Sequence, residues 1–311
     1  MPVTNQVQAL LDARVASGLP DVFEAPLSVI RANALNGVIG SGTPEDIYQV
    51  DHRFINGPTA DLPIRIYRPN NTGNLPAMVF FHGGGWVLAT LDSAEQSLRS
   101  IANKGNFIIV SIGYQKAPEH PFPIPFDDCF AGLQWVIAHA QELGIDPDQI
   151  GVGGVSAGAN LAAGVALKAR DENIPLAFQM LVVPCNDDRM DYPSAKANAE
   201  GYLLSTKAML WFWDQYAQKP EDRMNPYAVP ARAASFVGLA PAIITTSEFD
   251  PLLDDGINYR NALENAGVPT IYREYAGQLH GLIGFARDIP EAIELQHFVA
   301  DQINVILGRA H

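Results

Sequence analysis

A chain of 311 residues, 48% of them hydrophobic, can bury a large core and suits one α/β domain, alone or with an insertion. Its 34 acidic and 20 basic residues give a net charge of −14. An acidic chain with no basic run repels nucleic-acid phosphates and anionic membrane surfaces, so neither is expected as a partner.

The N-terminal stretch MPVTNQVQALLDARVASG has no basic start and no apolar run, so it reads as an amphipathic helix rather than a signal peptide. No segment approaches the ~18 consecutive apolar residues of a membrane span. Cys129 and Cys185 are too few for a disulfide framework, and no C-x-x-C stands ready for zinc or redox chemistry. A reducing cytoplasm is the expected location.

Further along, apolar and β-branched runs recur at regular intervals: IRIYRP (64–69), AMVFF (77–81), FIIVSIGY (107–114), IGVGGV (150–155), FQMLVVP (178–184), AIITTS (242–247) and TIYREYA (270–276). Several are apolar throughout, as strands buried on both faces must be. The first alternates, which suits an edge strand or an antiparallel start. Helical patterns lie between them, at about 92–104, 126–143, 157–171, 254–267 and 290–307. Strands alternating with helices predict a mostly parallel sheet covered on both sides.

Two segments break the alternation. Residues 1–45 carry helical signals before the sheet begins, and residues 186–235 interrupt it with the aromatic run MLWFWDQYAQ (209–218). A helix displaying Trp211, Phe212, Trp213 and Tyr216 is apolar on more than one side and must be covered on more than one side. The insertion follows the C-terminal end of a strand, where open α/β sheets place their ligands. We therefore expect 46–185 and 236–311 to form the main domain, with 1–45 and 186–235 as a helical cap.

Chemistry concentrates around Ser156. Gly154-Val155-Ser156-Ala157-Gly158 has the form G-x-S-x-G between a predicted strand and a predicted helix, the context of a nucleophile elbow. Small neighbours let the turn close and leave the hydroxyl open to approach. A dinucleotide loop is the rival, but the G-x-G-x-x-G register from Gly151 and Gly153 lands on Ser156 instead of glycine.

A nucleophilic serine needs a base, and the base needs an orienting carboxylate. Three histidines follow Ser156. His311 is the last residue, and His297 falls inside a predicted helix. His280, in AGQLHGL, sits in a glycine-flanked loop just past the last predicted strand and is the candidate base. Asp250, in SEFDPLLDDG, directly follows a strand and is the candidate acid, with Glu248 a weaker rival. Asp254 and Asp255 fall in the first turn of the next helix, where acids suit its dipole. Earlier, FFHGGGW (80–86) ends a strand in three glycines whose N–H groups a ligand could approach freely. No Lys-Ser/Thr follows, which sets aside a phosphate loop.

Together, HGGGW, YQKAPEHPFP, GVSAGANLA, EFDPLLDDG and the His280-Gly281 pair stand in the order found in the hormone-sensitive-lipase-like family of esterases, which the sequence resembles from about residue 60 to about 285. NAEGYLLSTKAMLWFWDQY (198–216) matches the family's cap. The resemblance implies an α/β-hydrolase fold and a serine carboxylesterase acting on short- to medium-chain esters without metal or organic cofactor. It assigns Ser156 as nucleophile, His280 as base, Asp250 as its orienter, and the N–H groups of Gly83, Gly84 and Ala157 as the oxyanion hole. Trp86, Val155, Trp211, Phe212, Tyr216 and Leu252 are expected to shape the pocket. It also implies a homodimer through the strand near 270–276. The sequence departs from the family at Val155, usually Asp, at Ala159, usually Gly, and at Gln115-Lys116, usually Arg-Leu. None of these is a reacting group. Lactone or amide hydrolysis would use the same triad. Receptors of this fold, resembling the gibberellin receptor, lack the catalytic histidine, and here His280 is present.

Overall fold

In LPAMVFF, Ala77, Val79 and Phe81 face one apolar cluster while Met78 and Phe80 face another. This two-residue period means that the strand has a hydrophobic layer on each side. It belongs to a single eight-stranded sheet among the described residues, 2–309 of this computed structural model. In chain order the strands are β1 (Gln49–Asn56), β2 (Asp61–Arg68), β3 (Leu75–Phe81), β4 (Ile108–Ile112), β5 (Ile145–Val155), β6 (Gln179–Val182), β7 (Ala242–Phe249) and β8 (Thr270–Leu279). Their spatial order is β1-β2-β4-β3-β5-β6-β7-β8. From β4 to β8 the neighbours run parallel, while β2 is antiparallel to both β1 and β4.

The helices are α1 (Asn5–Ala16), α2 (Leu27–Asn36), α3 (Glu95–Gly105), α4 (Ile124–Ala138), α5 (Ala157–Asp171), α6 (Pro193–Ala197), α7 (Thr206–Tyr216), α8 (Pro220–Met224), α9 (Leu253–Asn265) and α10 (Pro290–Ile306). Apolar side chains of α4, α5 and α9 cover one face of the sheet. Those of α1, α3 and α10 cover the other. Among the described residues no helix is long and apolar enough to cross a membrane.

All seven anticipated strands are present, as β2 to β8. The structure adds β1, which the hydrophobic pattern does not reveal. Its sequence QVDHRFIN buries only Ile55 and leaves Phe54 75% exposed. A backbone ladder to β2, from Gln49–Arg68 to Asn56–Asp61, holds this strand in place, and a ladder leaves no mark on side-chain periodicity. The alternating strand β2 is therefore antiparallel but not at the edge. Helix α4 also ends earlier than its pattern implies, at Ala138, because the chain turns before Gly144, which has φ +59.

The segments outside the alternation touch each other and the sheet's C-terminal rim. Lys207 of α7 lies 4.0 Å over the ring of Phe23, joining residues near the N-terminus to the insertion. Asn160 on α5, fully buried, donates from Nδ2 to the carbonyls of Cys185 and Ala228 (2.9 and 3.0 Å) and so ties both ends of the insertion to the helix that follows Ser156.

Candidate active site

Ser156 occupies the junction between β5 and α5 at φ 56 and ψ −120, a backbone region that costs energy for any residue with a Cβ. The surroundings hold it there. Its N–H donates to the Val182 carbonyl of β6 (2.8 Å), and its carbonyl accepts from Asn160 in the first turn of α5 (3.0 Å). The turn closes because two positions carry no side chain. A Cβ on Gly154 would stand 2.2 Å from the Gly158 carbonyl, and one on Gly158 would stand 2.0 Å from the Phe81 carbonyl oxygen.

Asp250 and His280 arrive from the ends of β7 and β8, beyond β6 in the sheet order. Asp250 directly follows β7, is 1% exposed, and accepts the Leu252 N–H on Oδ1 (2.8 Å). Its backbone carbonyl accepts from Asn198 Nδ2 (3.1 Å), so the insertion braces the carboxylate's backbone. His280 directly follows β8, and the turn after it is held where buried Gln296 donates to the Ile283 carbonyl (2.9 Å). His280 Nδ1 lies 2.7 Å from Asp250 Oδ2, and Nε2 lies 2.9 Å from Ser156 Oγ. A carboxylate facing Nδ1 selects the tautomer with its proton there, which leaves Nε2 free to accept the serine proton.

Among the described residues, the other candidates for these positions lie elsewhere. His297 lies within α10, and His311 lies outside the described residues. Glu248 accepts the Gly277 N–H (2.7 Å). Asp254 and Asp255 do more than face a helix dipole. Asp254 accepts the Ser194 N–H (2.7 Å), and buried Asp255 accepts the N–H groups of Asn186 and Asp187 (2.8 and 3.0 Å), so both acids anchor the start of the insertion.

The glycine loop lies against the serine: a Cβ built on Gly83 would be 2.8 Å from the Val155 carbonyl oxygen and 3.5 Å from Ser156 Cβ. Ala157 is the first residue of α5, where backbone N–H groups have no intrahelical acceptor. His82 carries no role in the sequence motifs taken alone. Its ring stacks on Tyr114 (centroids 4.3 Å, 18° between planes), and its Nδ1 lies 2.9 Å from the Gly83 carbonyl oxygen. Burial drives its pKa down to about 4, so at neutral pH the ring is uncharged and Nδ1–H serves as a donor to the glycine loop. Tyr114 in turn donates its hydroxyl to the His82 carbonyl (2.8 Å). The available signal was the placement of this histidine immediately before three glycines.

A cavity of about 180 Å³ opens beside this loop, lined by His82, Gly83, Gly84, Val155, Gly281 and Ile283 among others. Of the six expected pocket residues, only Val155 lines it. Trp86 and Tyr216 have no exposed surface and stack face to face (4.4 Å, 2°), with Trp213 against the same Trp86 ring at 4.6 Å. Leu252 is 1% exposed in the same core, and Phe212, 5% exposed, sits where a Cβ on Gly85 would be, 2.2 Å from its ring. Trp211 packs partly buried against that cluster. These side chains form interior because the aromatic helix α7 is covered by the glycine loop on one side and by Phe122 on another. A larger groove of about 510 Å³ lies between residues 11–24 and 200–207; Ser156, Asp250 and His280 line neither it nor the smaller cavity, which reaches the site through Gly83, Val155 and Gly281, their chain neighbours or the loop beside them.

The Abhydrolase_3 family, described as an alpha/beta hydrolase fold, matches residues 78–284. The chain belongs to the α/β-hydrolase fold family. Within that family it is a carboxylesterase of the hormone-sensitive-lipase-like branch. It is 37% identical over 259 residues to esterase LipI of Mycobacterium tuberculosis (strain ATCC 25618 / H37Rv), covering 81% of each chain. It is 39% identical over 239 residues to carboxylesterase NlhH of the same strain, covering 75% of each. Among solved structures, an ester hydrolase from the metagenome of Lake Arreo superposes with a TM-score of 0.94 at 34% identity, over 98% of this chain and 99% of that one. This hydrolase therefore acts on carboxylic esters through an acyl-enzyme.

Proposed function

We propose that Ser156 is the nucleophile of this carboxylesterase, His280 its general base and Asp250 the group that orients His280. The observation that carries the assignment is the continuous chain Asp250 Oδ2–His280 Nδ1 (2.7 Å) and His280 Nε2–Ser156 Oγ (2.9 Å). Ser156 Oγ attacks the ester carbonyl while its proton passes to Nε2, and Asp250 stabilises the imidazolium that forms. Negative charge on the former carbonyl oxygen is received by the N–H groups of Gly83, Gly84 and Ala157. The imidazolium then protonates the departing alcohol. Water repeats the attack on the acyl-serine and releases the acid. The test is hydrolysis of p-nitrophenyl acetate, butyrate, octanoate and dodecanoate by the enzyme and by Ser156→Ala. Turnover lost by about 10⁴–10⁶ in the variant supports the assignment, and turnover retained overturns it.

The substrates we propose are short- to medium-chain esters, because the cavity beside the glycine loop is small, about 180 Å³, and, His82 apart, is walled by small or apolar residues. The ester series above reads this directly: an optimum at dodecanoate would contradict it.

We further propose that residues 1–45 and 186–235 act as a cap over the site. Lys207 stacking on Phe23, Phe212 resting on Gly85 and Asn198 bracing Asp250 support this. Among the described residues, edge strand β8 pairs with β7 on one side only, which supports a homodimer formed by a second copy on its free side. Light scattering on the protein and on a variant with proline in β8 would test it. Two free, buried cysteines, Cys129 and Cys185, support a cytoplasmic location.

A further inference from the structure

The loop of Gly83 and Gly84 is curled into a costly conformation. Gly84, Gly85, Trp86 and Ala89 all have positive φ, between 59 and 100. Positive φ is cheap for the two glycines but costs energy at Trp86 and Ala89, and such backbone persists only when its surroundings over-determine it. Part of that determination is internal: the Gly84 carbonyl accepts the N–H groups of Val87 and Leu88 (3.1 and 2.8 Å). Ala117 also donates to the Trp86 carbonyl (3.0 Å), and Lys116 Nζ donates to the Ala89 carbonyl (2.6 Å).

One further restraint comes from more than fifty residues upstream. Arg31, on α2, donates from Nε to the Val87 carbonyl (3.0 Å) and from Nη2 to the Ala117 carbonyl (3.0 Å). Glu119 fixes the guanidinium from the other side with a paired contact (2.7 and 2.8 Å). One planar fork thus bridges the glycine turn and the 114–123 loop, and it does so from the N-terminal segment. Arginine suits this task because its donors are held in a fixed plane, which a lysine ammonium cannot reproduce.

We propose that Arg31 is a positioning residue for ester hydrolysis: by holding the Val87 and Ala117 carbonyls it sets the direction of the Gly83 and Gly84 N–H groups. The proposal rests on the reading that those N–H groups receive the oxyanion. It makes the N-terminal segment part of the machinery that stabilises charge, beyond any role as a wall over substrate. A donor swung off its line is useful to the ground-state carbonyl almost as before, but it is lost to the tetrahedral oxyanion, so the effect falls on kcat.

The experiment compares Arg31→Met, which keeps an apolar stem and removes the donors, with Arg31→Lys and Glu119→Gln. For each, kcat and KM are measured with p-nitrophenyl butyrate, together with affinity for an aliphatic trifluoromethyl ketone, whose serine adduct carries an oxyanion. Arg31→Met should lower kcat about 10–100-fold, a part of what loss of one oxyanion donor costs, with KM within about threefold and ketone affinity falling in step with kcat. Arg31→Lys should recover part of both. Glu119→Gln should lose far less than Arg31→Met, because the bonds to Val87 and Ala117 remain. Unchanged kcat, a loss confined to KM or to thermal stability, or equal losses in Glu119→Gln and Arg31→Met would each overturn the proposal. If Arg31→Met shows no cooperative unfolding, the same kcat–KM split in Arg31→Lys decides. A Ser156→Ala variant that still turned over would instead overturn the underlying assignment, whatever Arg31 does.

Discussion

Gly158, two residues past the serine, lies against the end of β3 so closely that a methyl group on it would sit 2.0 Å from the Phe81 carbonyl oxygen and 2.6 Å from that of His82. The helix that begins at Ala157 and the strand that delivers the glycine loop are thereby locked at one distance. Both obstacles are backbone, which cannot swing aside as a flexible side chain can. Gly158→Ala should therefore cost at least about 3 kcal/mol, at the upper end for overpacking, and should remove turnover by pushing Gly83 away from Ser156. Urea denaturation and ester hydrolysis of the purified variant check both effects. A variant of wild-type stability and rate would contradict this account of the turn.

In the proposed triad Asp250 contributes orientation as well as charge. Asp250→Asn keeps the size of the side chain but turns the preferred partner of Nδ1 from an acceptor of its proton into a possible donor, which favours the wrong imidazole tautomer. The expected loss in kcat is about 10⁴ at neutral pH, the size seen for this change in a serine protease triad. Steady-state kinetics with a saturating short-chain ester measure it. A loss of less than tenfold would point to another acid, and Glu248→Gln would be the next variant to assay.

Trp213 should behave as a core residue. It has no exposed surface and packs on Trp86 with ring centroids 4.6 Å apart. Trp213→Ala should destabilise by about 3–5 kcal/mol while leaving the acyl-chain preference of the remaining folded enzyme unaltered. Trp211→Ala, at a partly buried position, should cost about 1 kcal/mol. Denaturant titrations paired with the ester series separate the two expectations. A Trp213 variant that kept its stability and changed its chain preference would place this ring in the substrate pocket.

His82 predicts a specific acid weakness. Burial lowers its pKa from 6.5 to about 4, so the unfolded chain takes up the proton first as pH falls. Stability from this group is complete above about pH 6.5, declines as pH falls below that value, and is fully lost below about pH 4. A shift of this size corresponds to about 3 kcal/mol. His82→Phe, which keeps a ring on Tyr114, should unfold with a shallower dependence between pH 7 and 4 than the parent. Parallel slopes in urea titrations across that range would sink the idea.

Much of this was legible in the chain itself. The apolar runs predict β3, β4 and β6 because a strand buried on both faces needs apolar residues on both faces, and no distant contact can relax that, while alternation and β-branched residues mark half-buried strands such as β2 and β8. G-x-S-x-G between a strand and a helix marks the elbow because its geometry is local and demands small neighbours. Chain order and loop context single out His280 and Asp250 among the histidines and acids, and the folded chain sets their side chains 2.7 Å apart.

Other features needed the folded molecule. Strand β1 escaped notice because a backbone ladder, and not burial, holds it to the sheet. Trp86 and Tyr216 read as pocket residues because an aromatic helix looks alike in sequence whether a ligand or the protein's own loop covers it. The structure puts that loop, with Phe122, on top of them. The link from Arg31 to Val87 and Ala117 is likewise invisible along the chain, since a guanidinium bonding carbonyls 56 and 86 residues away leaves no periodicity or motif. Local geometry and burial write themselves into residue types. Which surfaces meet across long sequence separations is decided only when the chain closes.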